Sequence, residues 1–237
     1  MGRDVDHHDK GYRRHPWLHR LAWLRRNRCS LLLASLCVMI LANPLFGSTA
    51  MGPKGLSLML LIVLVVASWA LRMPRKTMVA VATLAVVVAV AILSVPSDTH
   101  WMRPVAHGAM AFFTGVITVE LLLYVLDPHL INTDKVFGAV AAYVLIAISF
   151  ACLFLAMQYV QDKAFHINEV NDPDGLMSWS DSMYFSFTVL TSTGFGEITP
   201  VTDMARSLIV IEQVLGVMYV AFLVARLANL YGSDRRR

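Results

Sequence analysis

Long apolar stretches separated by short polar segments run through the chain from residue 29 onward. A bilayer core about 30 Å thick is crossed by about 20 apolar residues in a helix. Six stretches approach that length: residues 29–46, 55–71, 77–95, 105–126, 138–160 and 205–231. The pattern therefore predicts an all-α membrane protein with six transmembrane helices.

Composition and charge agree with this prediction. Hydrophobic residues make up 57% of the chain and charged residues 15%, whereas about a quarter of a soluble domain is charged. With both termini inside, sixteen Lys and Arg residues lie on the inner flanks of the spans and four, Lys54, Arg103, Lys163 and Arg206, on the outer flanks. Because cytoplasmic loops collect Lys and Arg, we expect a multi-pass protein of the cell (inner) membrane with cytoplasmic N and C termini.

Residues 1–28 form a polar, basic N-terminal segment. A possible helix begins at Pro16, and its apolar residues between Trp17 and Leu24 share one face while basic residues occupy the rest. Helices of this kind lie among lipid headgroups. We expect this cytoplasmic segment to contact anionic lipid.

Residues 29–130 are predicted to form a four-helix transmembrane domain. A voltage sensor needs several Arg or Lys residues along one helix, because each charge moved contributes only about 2.3 kcal/mol per 100 mV. Residues 105–126 contain no Arg or Lys. Classical voltage gating is therefore not expected.

Glu120 is an ionisable residue deep within the fourth span. A carboxyl group in the membrane is costly enough to suggest a function, either as a proton-sensitive switch or as a hydrogen-bond partner of a neighbouring helix. His107 is not its partner, because thirteen residues separate the two by about 20 Å along a helix.

A short helix and a glycine-bearing strand are predicted between spans five and six. Ser178 and Asp181 have the spacing of a capping box, and the apolar positions continue the helix to Leu190. The segment LTSTGFGEITP follows, with glycines at 194 and 196. To remove water from a cation, a backbone must point successive carbonyl oxygens inward, and glycine adopts the required conformations without strain.

This strand resembles the TVGYGD-like selectivity filter of the tetrameric potassium channel superfamily. The wider segment resembles bacterial six-span ion channels with one pore loop, which have the layout of voltage-gated channels but here lack the sensor arginines. The resemblance implies that residues 131–231 form a pore domain with an outer helix, a re-entrant pore helix, a selectivity-filter loop between spans five and six, and an inner helix. The implied potassium-binding residues are Ser192, Thr193, Gly194, Phe195 and Gly196, with a potassium ion held by the carbonyls of the first four and the Ser192 hydroxyl.

Three departures of the filter from the family pattern bear on its rigidity. Phe195 replaces the usual tyrosine, Thr193 the usual valine and Glu197 the usual aspartate. We expect a less rigidly braced filter that inactivates or selects potassium over sodium imperfectly. The residues expected to support the filter are Tyr184, Thr188, Thr191 and Glu197, with Tyr184 donating a hydrogen bond to Glu197.

Two residues of the sixth span are further candidates. Gly216 lies where inner helices of the family carry a hinge glycine, although a plain packing contact explains it equally well. Glu212, one turn earlier, is a second buried acid. It is either a hydrogen-bond partner of the pore helix, for example at Thr188, or a proton-sensitive gate.

The surroundings of the filter favour cations. Seven acidic residues lie near the proposed mouth against two basic ones, Lys163 and Arg206; the acids are Asp162, Glu169, Asp172, Asp174, Asp181, Glu197 and Asp203. An acidic vestibule concentrates cations. The alternative is a solvent-exposed loop whose acidic residues have no role in attracting cations.

These features predict a passive potassium-type cation channel. One pore loop per chain implies a homotetramer, because a filter ring takes four loops. Residues 232–237 are expected to be a short basic cytoplasmic tail. No enzymatic activity, organic cofactor or nucleic-acid partner is indicated. The alternatives are a weakly selective cation channel, a secondary transporter, which would show inverted repeats that this sequence lacks, and a non-conducting membrane scaffold or regulatory subunit.

Overall fold

The structure is a computed structural model that describes residues 27–46, 102–127, 133–168 and 175–234, with scattered positions between 58 and 90. Its elements in chain order are α1 (Arg28–Phe46), α2 (Met102–Leu126), α3 (Thr133–Val160), β1 (Phe165–Ile167), α4 (Trp179–Leu190), β2 (Ile198–Pro200) and α5 (Asp203–Asp234). The basic segment at residues 1–26 and the last three residues of the predicted tail lie outside the described part of the chain.

The all-α membrane prediction is confirmed, apart from two short strands. Among the described residues, three helices are long and apolar enough to cross a bilayer: Met102–Leu126, Asp134–Val160 and Asp203–Arg226. The apolar part of α1, Arg28–Ala42, is shorter. The predicted spans at 55–71 and 77–95 are described only at scattered helical positions, so the count of six stays a prediction.

The helices are longer than the apolar pattern indicated. Span five was predicted to begin at residue 138, but α3 begins at Thr133 because Asp134 occupies its first turn, where an acid is favoured by the helix dipole. The last helix was predicted over 205–231 but runs from Asp203 to Asp234. It therefore includes the beginning of the predicted tail.

Helices α1 and α2 pack on α3. Asp134 in the first turn of α3 accepts hydrogen bonds from the Cys29 and Ser30 amides at 3.0 and 3.4 Å, so α1 and α3 start at the same end of the bundle. A Cβ added at Gly138 would lie 3.1 Å from Cys29 Sγ and 3.0 Å from Val125 Cγ2. The small residue thus lets three helices meet.

The ends of the bundle can be assigned from long-range hydrogen bonds. Lys135 Nζ donates to the Asp127 carbonyl at 2.7 Å, which joins the start of α3 to the end of α2. The Tyr219 hydroxyl donates to the Ala139 carbonyl at 2.6 Å, so the later part of α5 lies at this end too. Helix α3 is therefore antiparallel to both α2 and α5.

A second core lies at the opposite end. The rings of Phe154 on α3, Phe165 on β1 and Phe185 on α4 pack with centroids 5.2 to 5.7 Å apart. Strands β1 and β2 pair antiparallel, with Phe165 opposite Pro200 and Ile167 opposite Ile198. The purely helical prediction missed these strands because three residues are too few to show an alternating pattern. Their pairing positions the two ends of the segment that contains α4.

Candidate functional site

Helix α4 begins beside the later part of α3. The Ser178 side chain accepts from the Asp181 amide and the Asp181 carboxylate accepts from the Ser178 amide, which confirms the predicted capping box. Gln158 on α3 holds the preceding residue from both sides. Its amide nitrogen donates to the Met177 carbonyl and its oxygen accepts from the Met177 amide, each at 2.9 Å.

The other end of α4 lies much further along α3. The Tyr143 hydroxyl donates to the Leu190 carbonyl at 3.3 Å. Tyr143 precedes Gln158 by fifteen residues, a separation of about 22 Å along a helix. The twelve residues of α4 span about 18 Å, so α4 runs antiparallel beside α3 and stops part of the way along it.

The chain then returns to the end at which α4 began. The amides of Thr193 and Gly194 donate to the Thr188 carbonyl at 2.8 and 3.2 Å, which ties the start of the return segment to the last turn of α4. At the other end of the segment, the Val201 amide donates to the Ala164 carbonyl at 2.9 Å. Residues 191–197 thus connect the C-terminal end of α4, at Leu190, with strand β2.

The backbone of this return segment alternates in handedness. Ser192, Gly194 and Gly196 have φ values of 56°, 56° and 86°. The two glycines adopt the conformation that their sequence positions predicted, because a residue without a Cβ enters this region without strain. Ser192 was not predicted to do so, and its sequence gives no signal for it, because serine is uncommon at positive φ.

The alternating backbone leaves carbonyl oxygens available. Residues 191–197 are all exposed. Within the described residues, the carbonyls of Ser192, Thr193, Gly194 and Phe195 accept no backbone hydrogen bond, whereas the amides of Ser192, Thr193 and Gly194 donate to carbonyls of α4. A row of carbonyl oxygens without donors can replace the hydration shell of a cation.

Side chains of α4 pack against the return segment. The rings of Tyr184 and Phe195 stack with centroids 6.2 Å apart and planes 6° apart. The Tyr184 phenol also interacts electrostatically with the Glu197 carboxylate, and the predicted hydrogen bond between them stays a prediction. Desolvation and the negative charge of Glu197 raise the pKa of the Tyr184 phenol.

The two threonines expected to support the filter act in different ways. Thr191 Oγ1 donates to the Phe187 carbonyl at 2.7 Å and lies 2.8 Å from Thr193 Oγ1. Thr188 contributes its carbonyl, which accepts from two amides of the return segment. Its hydroxyl donates back to the Phe185 carbonyl at 2.8 Å.

Glu212 hydrogen-bonds to α4, but at Ser186 and not at Thr188. Ser186 Oγ lies 2.5 Å from Glu212 Oε1 and 2.7 Å from the carbonyl oxygen of Ala147 on α3. Residues 186 and 188 are two positions apart, about 200° around a helix, so only one of them can face α5. The hydrogen bond to α4 that was considered for Glu212 is present, but Thr188, the example given for its partner, lies on another face of the helix.

Gly216 is a close-packing position. A Cβ added there would collide with the carbonyl oxygen of Leu190 and lie 3.1 Å from Leu190 Cδ1. Helix α5 therefore passes against the end of α4 where the return segment starts. The role of Gly216 as a hinge stays a prediction.

Glu120 is only partly buried on α2. His107 stacks on Tyr159 with ring centroids 5.9 Å apart, near the start of α2 and the end of α3. The exclusion of a pairing between Glu120 and His107 agrees with this position. The switch role of Glu120 stays a prediction.

Sequence reasoning missed three residues that hold α4 in place: Tyr143, Gln158 and Ser186. Gln158 and Ser186 interrupt otherwise apolar stretches, and a polar group within an apolar helix needs a partner. That signal was available. The identity of each partner was not, because each lies 19 to 47 residues away.

Comparison with known proteins finds that the part of the chain that contains α4 and the return segment is similar to ion channels. A family model described as an ion channel matches residues 144–232, which include the later part of α3, all of α4 and α5 up to residue 232. The chain is also similar to Protein LctB of Geobacillus stearothermophilus, with 29% identity over 133 residues that cover 52% of this chain and 97% of that protein.

A second Protein LctB, from Bacillus caldotenax, is 28% identical over 128 residues, which cover 53% of this chain and 92% of that protein. No solved structure matches. The family match indicates an ion channel and covers the candidate site.

Proposed function

We propose that the chain is a passive, potassium-type cation channel that works as a homotetramer in the cell membrane. Residues Ser192 to Gly196 are its selectivity filter, and the potassium ion is bound by backbone carbonyls. Helix α4 is the pore helix, α3 the outer helix and α5 the inner helix. The observation that carries the proposal is the exposed return segment with alternating backbone and unpaired carbonyls, inside the region that matches ion channels.

A re-entrant loop explains the path of the chain. Helix α4 starts beside Gln158, ends beside Tyr143, and is followed by a segment that returns to β1. In a bilayer such a path enters and leaves by one side. Irregular backbone at membrane depth is tolerated where it is covered by protein or lines a water-filled cavity, which fits a conducting pore.

The electrostatics of this loop favour a cation. The C-terminus of a helix carries about half a negative charge, and α4 directs this end, at Leu190, toward the base of the return segment. Asp181 lies in the first turn of α4 and Glu197 at the end of the return segment, both away from Leu190. Asp203 starts α5. Four copies of this arrangement would concentrate cations and exclude anions.

Four copies also explain the exposure of the site. In a single chain every residue from Thr191 to Glu197 is exposed, and only 17% of the most apolar part of α5 is buried. Apolar residues such as Val210, Val214 and Val217 need cover from lipid or from other copies. A ring of four chains covers part of α5 and brings the carbonyls of four filters to one axis.

Weak potassium selectivity is a second candidate. Phe195 has no hydroxyl to anchor the filter and contacts Tyr184 by stacking alone. Thr193 bonds to Thr191 within the same short segment. A filter braced by so few bonds to the rest of the protein would adapt to sodium more readily than a rigid one.

The remaining parts of the proposal concern orientation and lipid. The starts of α1 and α3 and the later part of α5 lie at one end of the bundle, and this end carries Arg28, Lys135 and Arg226. A cytoplasmic location of this end fits the preference of basic residues for the inner side. The basic segment at residues 1–28 would then meet anionic lipid.

A cation-flux assay in liposomes tests the proposal. The protein is reconstituted in potassium-loaded vesicles, and efflux is followed with a potential-sensitive dye. We expect efflux through the native protein and its loss in Gly194→Ala and Gly196→Ala. A non-glycine residue costs about 1 to 2 kcal/mol in the left-handed region, which is about 4 to 8 kcal/mol for four chains.

Gly108→Ala is the matched control. Gly108 lies in α2, and within the described residues no atom is within 4 Å of a Cβ placed there. We expect this variant to conduct normally. Efflux that survives both filter substitutions contradicts the filter assignment. Absence of efflux from native protein of tetrameric size, across membrane potentials and lipid compositions, supports the scaffold alternative.

A further inference from the structure

Glu212 lies where a charged group is costly. It is fully buried, with 0% of its surface exposed, although most neighbouring residues of α5 are exposed. Its carboxyl group faces α4 and α3. Among the described residues, no Lys, Arg or His side chain interacts with the Glu212 carboxyl group. The titratable side chain that interacts with it electrostatically is Tyr143 on α3.

The protons at this site can be counted. Ser186 Oγ has one hydrogen and two oxygen neighbours, the Ala147 carbonyl at 2.7 Å and Glu212 Oε1 at 2.5 Å. The carbonyl can only accept, so the serine hydrogen satisfies that contact. The contact with Glu212 then needs a hydrogen from the carboxyl group.

The opposite assignment leaves two defects. If Ser186 donated to an ionised Glu212, two oxygens would face each other at 2.7 Å without a hydrogen between them. The second carboxylate oxygen, Oε2, is buried and has no hydrogen-bond partner within the described part of the chain. A buried anion with a single donor is far more costly than a neutral carboxyl group with one unpaired oxygen.

We propose that Glu212 is held as a protonated acid and positions the pore helix by donating a hydrogen bond to Ser186. The hydrogen-bond chain then runs from α5 through α4 to the Ala147 carbonyl of α3. One turn later Gly216 packs on the Leu190 carbonyl, which Tyr143 also binds. Helix α4 is therefore held by a neutral carboxyl group at Ser186 and, at its end, by the contacts of Leu190 with Tyr143 and Gly216.

This arrangement predicts an alkaline limit. At neutral pH the folded protein keeps this proton while the unfolded chain has lost it, so the stability of the fold declines as the pH rises, until the folded carboxyl group itself ionises. Loss of the proton leaves the single Ser186 hydrogen to serve two acceptors, the Ala147 carbonyl and the Glu212 carboxylate, so one of the two contacts is lost. It also leaves a buried charge between three helices. Conduction should decline with it. The effect on conduction rests on the proposed function, whereas the protonation does not.

Infrared spectroscopy of the reconstituted full-length protein tests the protonation directly. A protonated carboxyl group has a C=O stretching band that an ionised group lacks. We expect this band at neutral pH in the native protein, its loss in Glu212→Gln, and its retention in Asp203→Asn, which replaces an exposed acid at the start of the same helix. An undiminished band in Glu212→Gln overturns the proposal.

Ser186→Ala provides a second, independent variant. The carboxyl group keeps its proton but loses its hydrogen-bond acceptor, so its C=O band should move to higher frequency. An unshifted band overturns the proposed bond. Glu212→Gln keeps a donor and stays neutral, so its thermal midpoint should remain flat from neutral to alkaline pH while that of the native protein falls. Equal pH dependence of the two proteins also overturns the proposal.

These measurements do not require conduction. Where the infrared and thermal results agree with a protonated Glu212 but no current is found, the proposed function fails and the proposed bond from Glu212 to Ser186 stands. Where current is found but the infrared result shows no protonated Glu212, the proposed channel stands and the proposed bond from Glu212 to Ser186 fails.

Discussion

The contact between Gly216 and the end of α4 leads to a prediction whose sign is opposite to the usual effect of the substitution. In an ordinary helix, Gly→Ala stabilises by about 1 kcal/mol. At Gly216 the added methyl group meets the carbonyl oxygen of Leu190. The obstacle is backbone, so rotation of a side chain cannot relieve it.

The size of the effect follows from the geometry. A methyl carbon and a carbonyl oxygen approach to about 3.3 Å, so α5 must move away from α4 by about 1 Å. Overpacking of this kind costs about 1 to 3 kcal/mol, and backbone contact favours the upper value. Subtracting the helix-propensity gain leaves a net loss of about 2 kcal/mol.

The assay is thermal unfolding of the purified protein in detergent, with size-exclusion chromatography to follow assembly. We expect a clear fall in the midpoint for Gly216→Ala and none for Gly115→Ala, because within the described residues no atom lies within 4 Å of a Cβ at Gly115. Adding Leu190→Ala removes the side-chain atom at 3.1 Å but not the carbonyl, so it should not rescue Gly216→Ala. Equal midpoints for the Gly216 and Gly115 variants, with altered channel opening at Gly216 alone, would favour the hinge and refute the packing argument.

Three further substitutions test other contacts. Tyr184→Phe removes the hydroxyl that interacts with the Glu197 carboxylate and should hasten the decay of current in planar bilayers; an unchanged time course means that this hydroxyl does not brace the filter. Phe195→Tyr adds a hydroxyl to the ring stacked on Tyr184 and should slow any decay, and no change counts against a weakly braced filter. Asp134→Ala removes the acceptor at the start of α1 and should cost about 1 to 2 kcal/mol of stability. The control is Ser35→Ala, because the Ser35 hydroxyl bonds only within its own helix. We expect a lower thermal midpoint for Asp134→Ala than for Ser35→Ala, and equal midpoints would contradict this role.

The local features of the site could be predicted from sequence because their causes are local. A serine and an aspartate three residues apart specify the start of α4. Gly194 and Gly196 are the residues that accept a positive φ most easily. The apolar runs specify α2, α3 and α5 through their length alone.

The contacts between helices could not be predicted in the same way. Glu212 was expected near Thr188 but bonds to Ser186, because the face that α4 presents to α5 is decided by how the two helices pack on α3. The role of Gly216 was left open between hinge and contact for the same reason. The position of the Leu190 carbonyl, not the glycine itself, explains its close packing.

The reversal potential of the purified protein in a planar bilayer, under opposed potassium and sodium gradients, tests the proposed channel most directly. We predict a current that reverses near the potassium equilibrium potential and is lost in Gly194→Ala. Reversal near zero would contradict potassium selectivity and support the weakly selective alternative. A reversal that follows the chloride gradient would contradict the carbonyl-lined cation filter itself.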